Sequence, residues 1–173
     1  MINIKIPDGI SVDAGDGVVH TTGRLGKNER RFNPKLTSVR VDGGEVIVEE
    51  VGSRAAKRRS YMAAVALSKE IETDIRGVME YNEIHMEVVY AHFPITVEAK
   101  DGKIFIKNML GERAPRKAGI VGDTKIEVKG KDVRLYGSSL YDISQTAANI
   151  RIACRVREKD ERVFQDGIYY AKV

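Results

Sequence analysis

Ile10–Gly26 reads ISVDAGDGVVHTTGRLG, and 85 positions later Ile95–Gly111 reads ITVEAKDGKIFIKNMLG. Overlaid, they share Ile10/Ile95, Val12/Val97, Ala14/Ala99, Asp16/Asp101, Gly17/Gly102, Leu25/Leu110 and Gly26/Gly111. Chance supplies far fewer identities in so short a window, so the chain is read as an internal duplication. In both copies an Asp-Gly pair sits between β-formers, the signal of a hairpin. Ile10–Ala14 is predicted to pair with Val18–Thr22, and Pro94–Ala99 with Lys103–Lys107. Farther on the shift becomes 87, matching Val39 with Ile126, Val41 with Val128, Gly43 with Gly130 and Val46 with Val133. A second hairpin is therefore expected in each copy: Ser38–Val41 with Glu45–Val48, and Lys125–Val128 with Asp132–Tyr136. Two residues were gained in the second copy's intervening loop.

Each pair of hairpins leads into a helical pattern. The first runs from Ser53 or Arg54 to about Tyr81, with Tyr61, Ala64, Val65 and Ser68 near one face and Ile71, Ile75, Val78 and Met79 continuing the apolar set. In the second, Ile143, Ala147, Ile150 and Cys154 recur at helical spacing and form one apolar stripe. Asp142 is expected to cap it, with Gln145 bonding back in a capping box. The expected class is α+β: two tandem duplicated units, each a small antiparallel sheet with one covering helix, over residues 1–81 and 82–173. Asn82–His92, which joins them, alternates like a strand and fits either the second sheet or a bridge between the two.

A chain of 173 residues with 31% charged and 42% apolar residues has the composition of a folded domain or two small ones. The net charge of +4 favours an anionic partner weakly. The single cysteine lies on the apolar stripe and reads as a buried small hydrophobe in a reducing compartment. MINIKIPDGI has no leader pattern and no run reaches 18 apolar residues, so neither secretion nor membrane spanning is expected. Enzyme signatures are missing. His20, His85 and His92 have no metal spacing, Gly23-x-x-Gly26-Lys27 is too short for a phosphate loop, and no serine sits in a GxSxG turn. No catalytic group, metal, cofactor or small-molecule substrate is assigned.

Basic residues cluster where binding surfaces would form. GRLGKNERRFNPK and LGERAPRKAG, both read as loops, carry Arg24, Lys27, Arg30, Arg31 and Lys35 in the first copy and Arg113, Arg116 and Lys117 in the second. In the second copy, Ser144, Ala148, Arg151 and Arg155 make a row beside the apolar stripe, and Arg157, Lys159 and Arg162 continue the charge. Phe164, Tyr169 and Tyr170 bracket Asp166-Gly167, a turn signal. A basic row is equally a solvated edge, and at least one of the two tyrosines is expected in the core. Taken together with Lys129 and Lys131, these groups form an RNA-sized footprint on one small domain if they converge. The first helix is oddly charged: Arg54, Lys57, Arg58 and Arg59 crowd its start and Glu70, Glu72, Asp74 and Glu80 follow, against the helix dipole. That suggests a secondary contact with RNA or an acidic neighbouring protein.

The run Gln145-x-Ala147-Ala148-x-Ile150-Arg151, followed by Lys159-Asp160-x-Arg162-x-Phe164-x-Asp166-Gly167-Ile168-Tyr169, resembles the C-terminal signature of the ribosomal protein L six family in its archaeal and eukaryotic form. The resemblance implies two repeats of this kind. It also implies a structural, non-enzymatic role in the cytoplasmic large ribosomal subunit, bound to large-subunit rRNA near the sarcin–ricin loop. Neighbouring ribosomal proteins, and translational GTPases nearby, are the implied partners. It carries an RNA-facing role to Gln145, Arg151, Lys159, Arg162 and Gly167; Arg113, Arg116, Lys117 and Arg155 rest on the charge argument. The rival reading is a protein-interaction adaptor that uses basic loops and sheet edges.

Overall fold

The structure, a computed structural model, describes residues 2–52, 57–160 and 162–171. It divides into two compact units, Met1–Tyr81 and Asn82–Val173, and is α+β throughout.

The first unit contains β1 (Ile2–Lys5), β2 (Ser11–Gly15), β3 (Val18–Gly23), β4 (Gly26–Arg31), β5 (Thr37–Asp42), β6 (Glu45–Glu50) and α1 (Lys57–Met79). They form two antiparallel sheets, ordered β1-β6-β5 and β2-β3-β4. Ile4, Val12, Val19, Val46 and Val48 alternate inward from the strands and meet Ala64, Leu67, Ile71 and Ile75 of α1. Each such side chain, when fully buried, contributes about 1.5–3 kcal/mol. The helix stripe is rotated from the expected one. Ser60 is buried and donates to the Val51 carbonyl, whereas Tyr61 and Met79 face outward. A small hydroxyl satisfied by backbone fits the crowded position that a tyrosine would overfill. The proposed start at Ser53 or Arg54, and Arg54 itself, lie outside the described residues.

The second unit contains β7 (Asn82–Val89), β8 (Thr96–Lys100), β9 (Lys103–Lys107), β10 (Arg116–Gly119), β11 (Lys125–Lys129), β12 (Asp132–Gly137), α2 (Leu140–Ala153) and β13 (Gly167–Tyr170). Its sheets run β10-β9-β8 and β11-β12-β7-β13. Both sheets and α2 bury one core that includes Ile104, Ile106, Leu135, Ile143, Ile150 and Ile168.

Each unit thus holds two small sheets where one was expected, because both basic segments read as loops contribute a strand. GRLGKNERRFNPK contains β4, and LGERAPRKAG contains β10 after a one-turn 3-10 helix at Met109–Gly111. Arginine and lysine hid them: their solvated charges mask the alternation, although Asn28 and Ala118 point inward. The registers extend the duplication. Val46 faces Ile4 and its counterpart Val133 faces Met86, so β7 plays the part of β1 and belongs to the second unit's sheet. Among the described residues strand β13 has no counterpart in the first unit, where β1 is an edge.

The start of α2 also differs from expectation. Ser139 is the cap, its hydroxyl accepting from the Asp142 amide at 3.3 Å, and the helix begins at Leu140. Asp142 falls in the first turn, where its charge suits the dipole, and Gln145 donates to Asn149 Oδ1 instead of to a cap.

Candidate functional site

The predicted stripe of α2 is the buried one: Ile143, Ala147, Ile150 and Cys154 are each at most 5% exposed. Burial pushes the Cys154 thiol up to about 11, against the bond it accepts from the Ile168 amide, so it stays protonated at neutral pH. Fixing this stripe fixes the row beside it. Arg151 and Arg155 are exposed, one turn apart, with Ala148 half-buried above them.

The end of α2 is held by an arginine from β10. One terminal nitrogen of Arg116 donates to the carbonyls of Ala153 at 3.0 Å and Arg155 at 2.9 Å, closing helix-end acceptors that lack an internal partner. Its Nε and other terminal nitrogen grip Glu112 at 2.9 and 2.6 Å. That grip holds the Glu112 carboxyl below its ordinary range, with help from the nearby Lys159 charge. Arg116 is expected to meet RNA; in the structure its donors are largely committed to partners inside the protein.

Around that anchor three surface hollows adjoin. Arg155 and Ile152 line all three; Arg151 and Gly167 join them in the first, Arg116 and Lys117 in the second, Arg157 and Lys159 in the third. Arg151, Arg155, Lys117, Lys159 and Gly167 are therefore brought together. Arg113 sits exposed in the turn next to Glu112, and among the described residues neither it, Arg155 nor Arg157 forms an ion pair. Arg162 is 90% exposed but pairs with Asp160 at 3.1 Å, and its guanidinium and amide hold that carboxyl down. Gln145 lines none of these hollows; it is tied to Asn149, whose amide holds the Gly119 carbonyl of β10. The two hairpin lysines are engaged elsewhere: Lys129 with Glu127 at 2.8 Å, Lys131 over the Tyr90 ring at 4.7 Å.

The aromatic residues define the first hollow. Neither Tyr169 nor Tyr170 enters the core; they are 39% and 45% exposed, and Phe164 is 40% exposed. The Arg151 guanidinium lies over Tyr170 at 5.5 Å, and Lys159 over Phe164 at 4.7 Å. Each cation thus covers one face of its ring. Gly167 opens β13, and a Cβ there would stand 3.1–3.2 Å from the Tyr169 ring. Ile152, 64% exposed, was missed from the sequence because it lies off the apolar stripe.

The profile of a family described as Ribosomal protein L6 matches residues 93–167, which include β10, α2 and the segment leading to β13. A protein of Methanocella arvoryzae named large ribosomal subunit protein uL6 is 46% identical over 168 residues, covering 96% of this chain and 93% of its own length. This chain belongs to the uL6 family. Proteins of the same name from Natronomonas pharaonis and Staphylothermus marinus are 41% and 38% identical, each across 96% of this chain, and 92% and 90% of their own lengths are covered. The uL6 resemblance read from the C-terminal motif is thus met along nearly the full length, both repeats included. No helix among the described residues is long and apolar enough to cross a membrane.

Proposed function

We infer that this uL6 family member binds large-subunit rRNA with the face built by β10, the end of α2 and the segment leading into β13. The coarser part follows from the family: a structural, non-enzymatic constituent of the large ribosomal subunit. The observation that carries the finer part is the convergence of Lys117, Arg151, Arg155, Arg157 and Lys159 on adjoining hollows, the first of them walled by exposed aromatic residues. Guanidiniums follow a phosphate lattice in folded RNA, whose shallow groove gives little base readout, and the aromatic walls suit splayed nucleotides. Gln145 and Arg116 support this face from behind. Arg113, Arg162 and Gly167 flank it. The motif resemblance supports a location near the sarcin–ricin loop, beside the translational GTPases and among neighbouring ribosomal proteins.

The test is binding of the full chain to large-subunit rRNA over a salt series, with chemical probing of the bound RNA. Each phosphate neutralised steepens the logarithmic slope by about 0.7–0.9. Replacing Arg155 or Arg157 by glutamine is expected to lower that slope by about one contact each. Weak, salt-insensitive binding with no protected RNA segment would favour the adaptor reading, in which sheet edges meet another protein.

A further inference from the structure

The first hollow is shaped for more than a phosphate track. It has a volume of about 410 Å³, with Cys154, Val156 and Ile168 in its lining and Tyr170 and Phe164 on its walls. Arg151 and Arg155 stand on its rim. Among the described residues β13 is an edge strand, paired only with β7. The Ala171 amide bonds the His85 carbonyl, so alternation turns the Tyr170 peptide away from β7. The Ile168 amide, bonded to Cys154 sulfur, faces the same way. A donor and an acceptor of the Tyr170 main chain are thus left beside an aromatic face, above an apolar floor and below two cations.

We propose that this hollow receives one unstacked nucleobase of the bound rRNA. The base lies against Tyr170, its polar edge meets the Tyr170 peptide, and the adjoining phosphate sits on Arg151 and Arg155. This rests on the rRNA-binding reading and adds a nucleotide subsite to it. An open strand edge also invites a partner's β-strand. Here the α2 end with Arg151 and Ile152 closes the edge into a cavity of nucleotide size, and two guanidiniums at its mouth match a phosphate better than a peptide.

The experiment uses the full chain with intact large-subunit rRNA. Tyr170→Ala removes the stacking face, and Ala148→Phe fills the hollow without touching a charge. Each is expected to weaken binding about tenfold or more while the salt slope stays unchanged, because stacking and not phosphate neutralisation is lost. Ultraviolet cross-linking is expected to join a single nucleotide to Tyr170 or Phe164, and thermal melting checks that the variants fold. Wild-type binding that neither variant changes, or cross-links scattered over many nucleotides, would overturn the subsite and leave the rRNA reading intact. Protection of the Tyr170 amide by another protein's strand, with no nucleotide cross-link, would also overturn it. Absence of wild-type binding would remove both.

Discussion

Asn28 and Arg116 occupy the same place in the two repeats. Asn28 faces Thr21 on β3, Arg116 faces Ile106 on β9, and Thr21 and Ile106 are one repeat apart. Both reach from the third strand to a carbonyl of the covering helix: Asn28 to Asp74 at 3.3 Å, Arg116 to Ala153 and Arg155. The chemistry around them has diverged. In the first repeat a neighbouring arginine, Arg30, is spent on Asp74, with two bonds of 3.0 and 2.8 Å to a carboxylate that is almost fully buried. The positive charge is cancelled inside the unit. In the second the arginine itself holds the helix end. The chain beyond Ala153 then leaves α2 carrying Arg155, Arg157 and Lys159 outward. One tether thus closes a core in one copy and presents a basic face in the other.

The largest effect expected from breaking this contrast is in the first repeat. Asp74→Ala takes from Arg30, whose side chain is only 18% exposed, its two short bonds and leaves the longer Glu70 contact at 3.6 Å, and should cost about 3 kcal/mol in urea unfolding. A loss below about 1 kcal/mol would mean the Arg30–Asp74 pair is dispensable to the tether. In the second repeat, Arg116→Met removes charge-assisted bonds to two carbonyls and a carboxylate. About 2 kcal/mol should be lost, and Arg116→Lys should not restore it because an ammonium lacks the fork. rRNA affinity should fall while the salt slope stays nearly constant. A slope lower by a full contact would show that Arg116 meets phosphate directly.

The helix-end packing offers a further comparison. Gly23, at the end of β3, would place a Cβ 2.7 Å from Val78 Cγ2 and 3.1 Å from the Val78 carbonyl oxygen. Gly23→Ala should therefore cost about 1–3 kcal/mol by overpacking. One repeat later the position is Asn108, held left-handed at φ 60 and bonded to the Pro94 carbonyl. There a glycine should be tolerated, at about the cost of one exposed hydrogen bond. Equal losses at the two positions would mean that the turns are not equivalent.

How far these points were legible depends on the physics of each. The four glycine-bearing hairpin turns and the α2 stripe were readable because turn chemistry and helical period are local. Strands β4, β10 and β13 were hidden, since they are rich in arginine, lysine or tyrosine and the last two are only four residues long, and only their register identifies them. The exposed row of Arg151 and Arg155 followed from the stripe. The capture of Arg116 and Arg30 did not, because a basic residue's partner comes from sequence-distant chain: Asp74 lies 44 residues from Arg30 and Ala153 lies 37 from Arg116. The tyrosines left the core because β13 lies at the sheet edge, a placement made by tertiary pairing.

Acid should loosen the second tether. Arg116 holds Glu112 below the unfolded value of 4.5, so the pair's contribution is complete above that pH and disappears as pH falls through the depressed value. Glu112 is 42% exposed, and screening keeps the effect near or below about 1 kcal/mol. Glu112→Gln should flatten that part of the stability–pH curve, and an unchanged curve would assign the acid sensitivity to other carboxylates.

The smallest expected effect concerns whether the first repeat binds anything. Lys57, Arg58 and Arg59 open α1, all exposed, with no acidic residue in the first turn and Tyr61 and Met62 exposed just beyond. Charges of this sign at a helix start cost a few tenths to about 1 kcal/mol each, so a sequence shaped by stability alone would not keep them there. Reversing Arg58 and Arg59 to glutamate should raise the melting temperature slightly and lower subunit assembly or rRNA affinity a few-fold, two changes of opposite sign. If stability rises and assembly is unaffected, the first repeat contributes scaffold only, and the division of labour between the copies is complete.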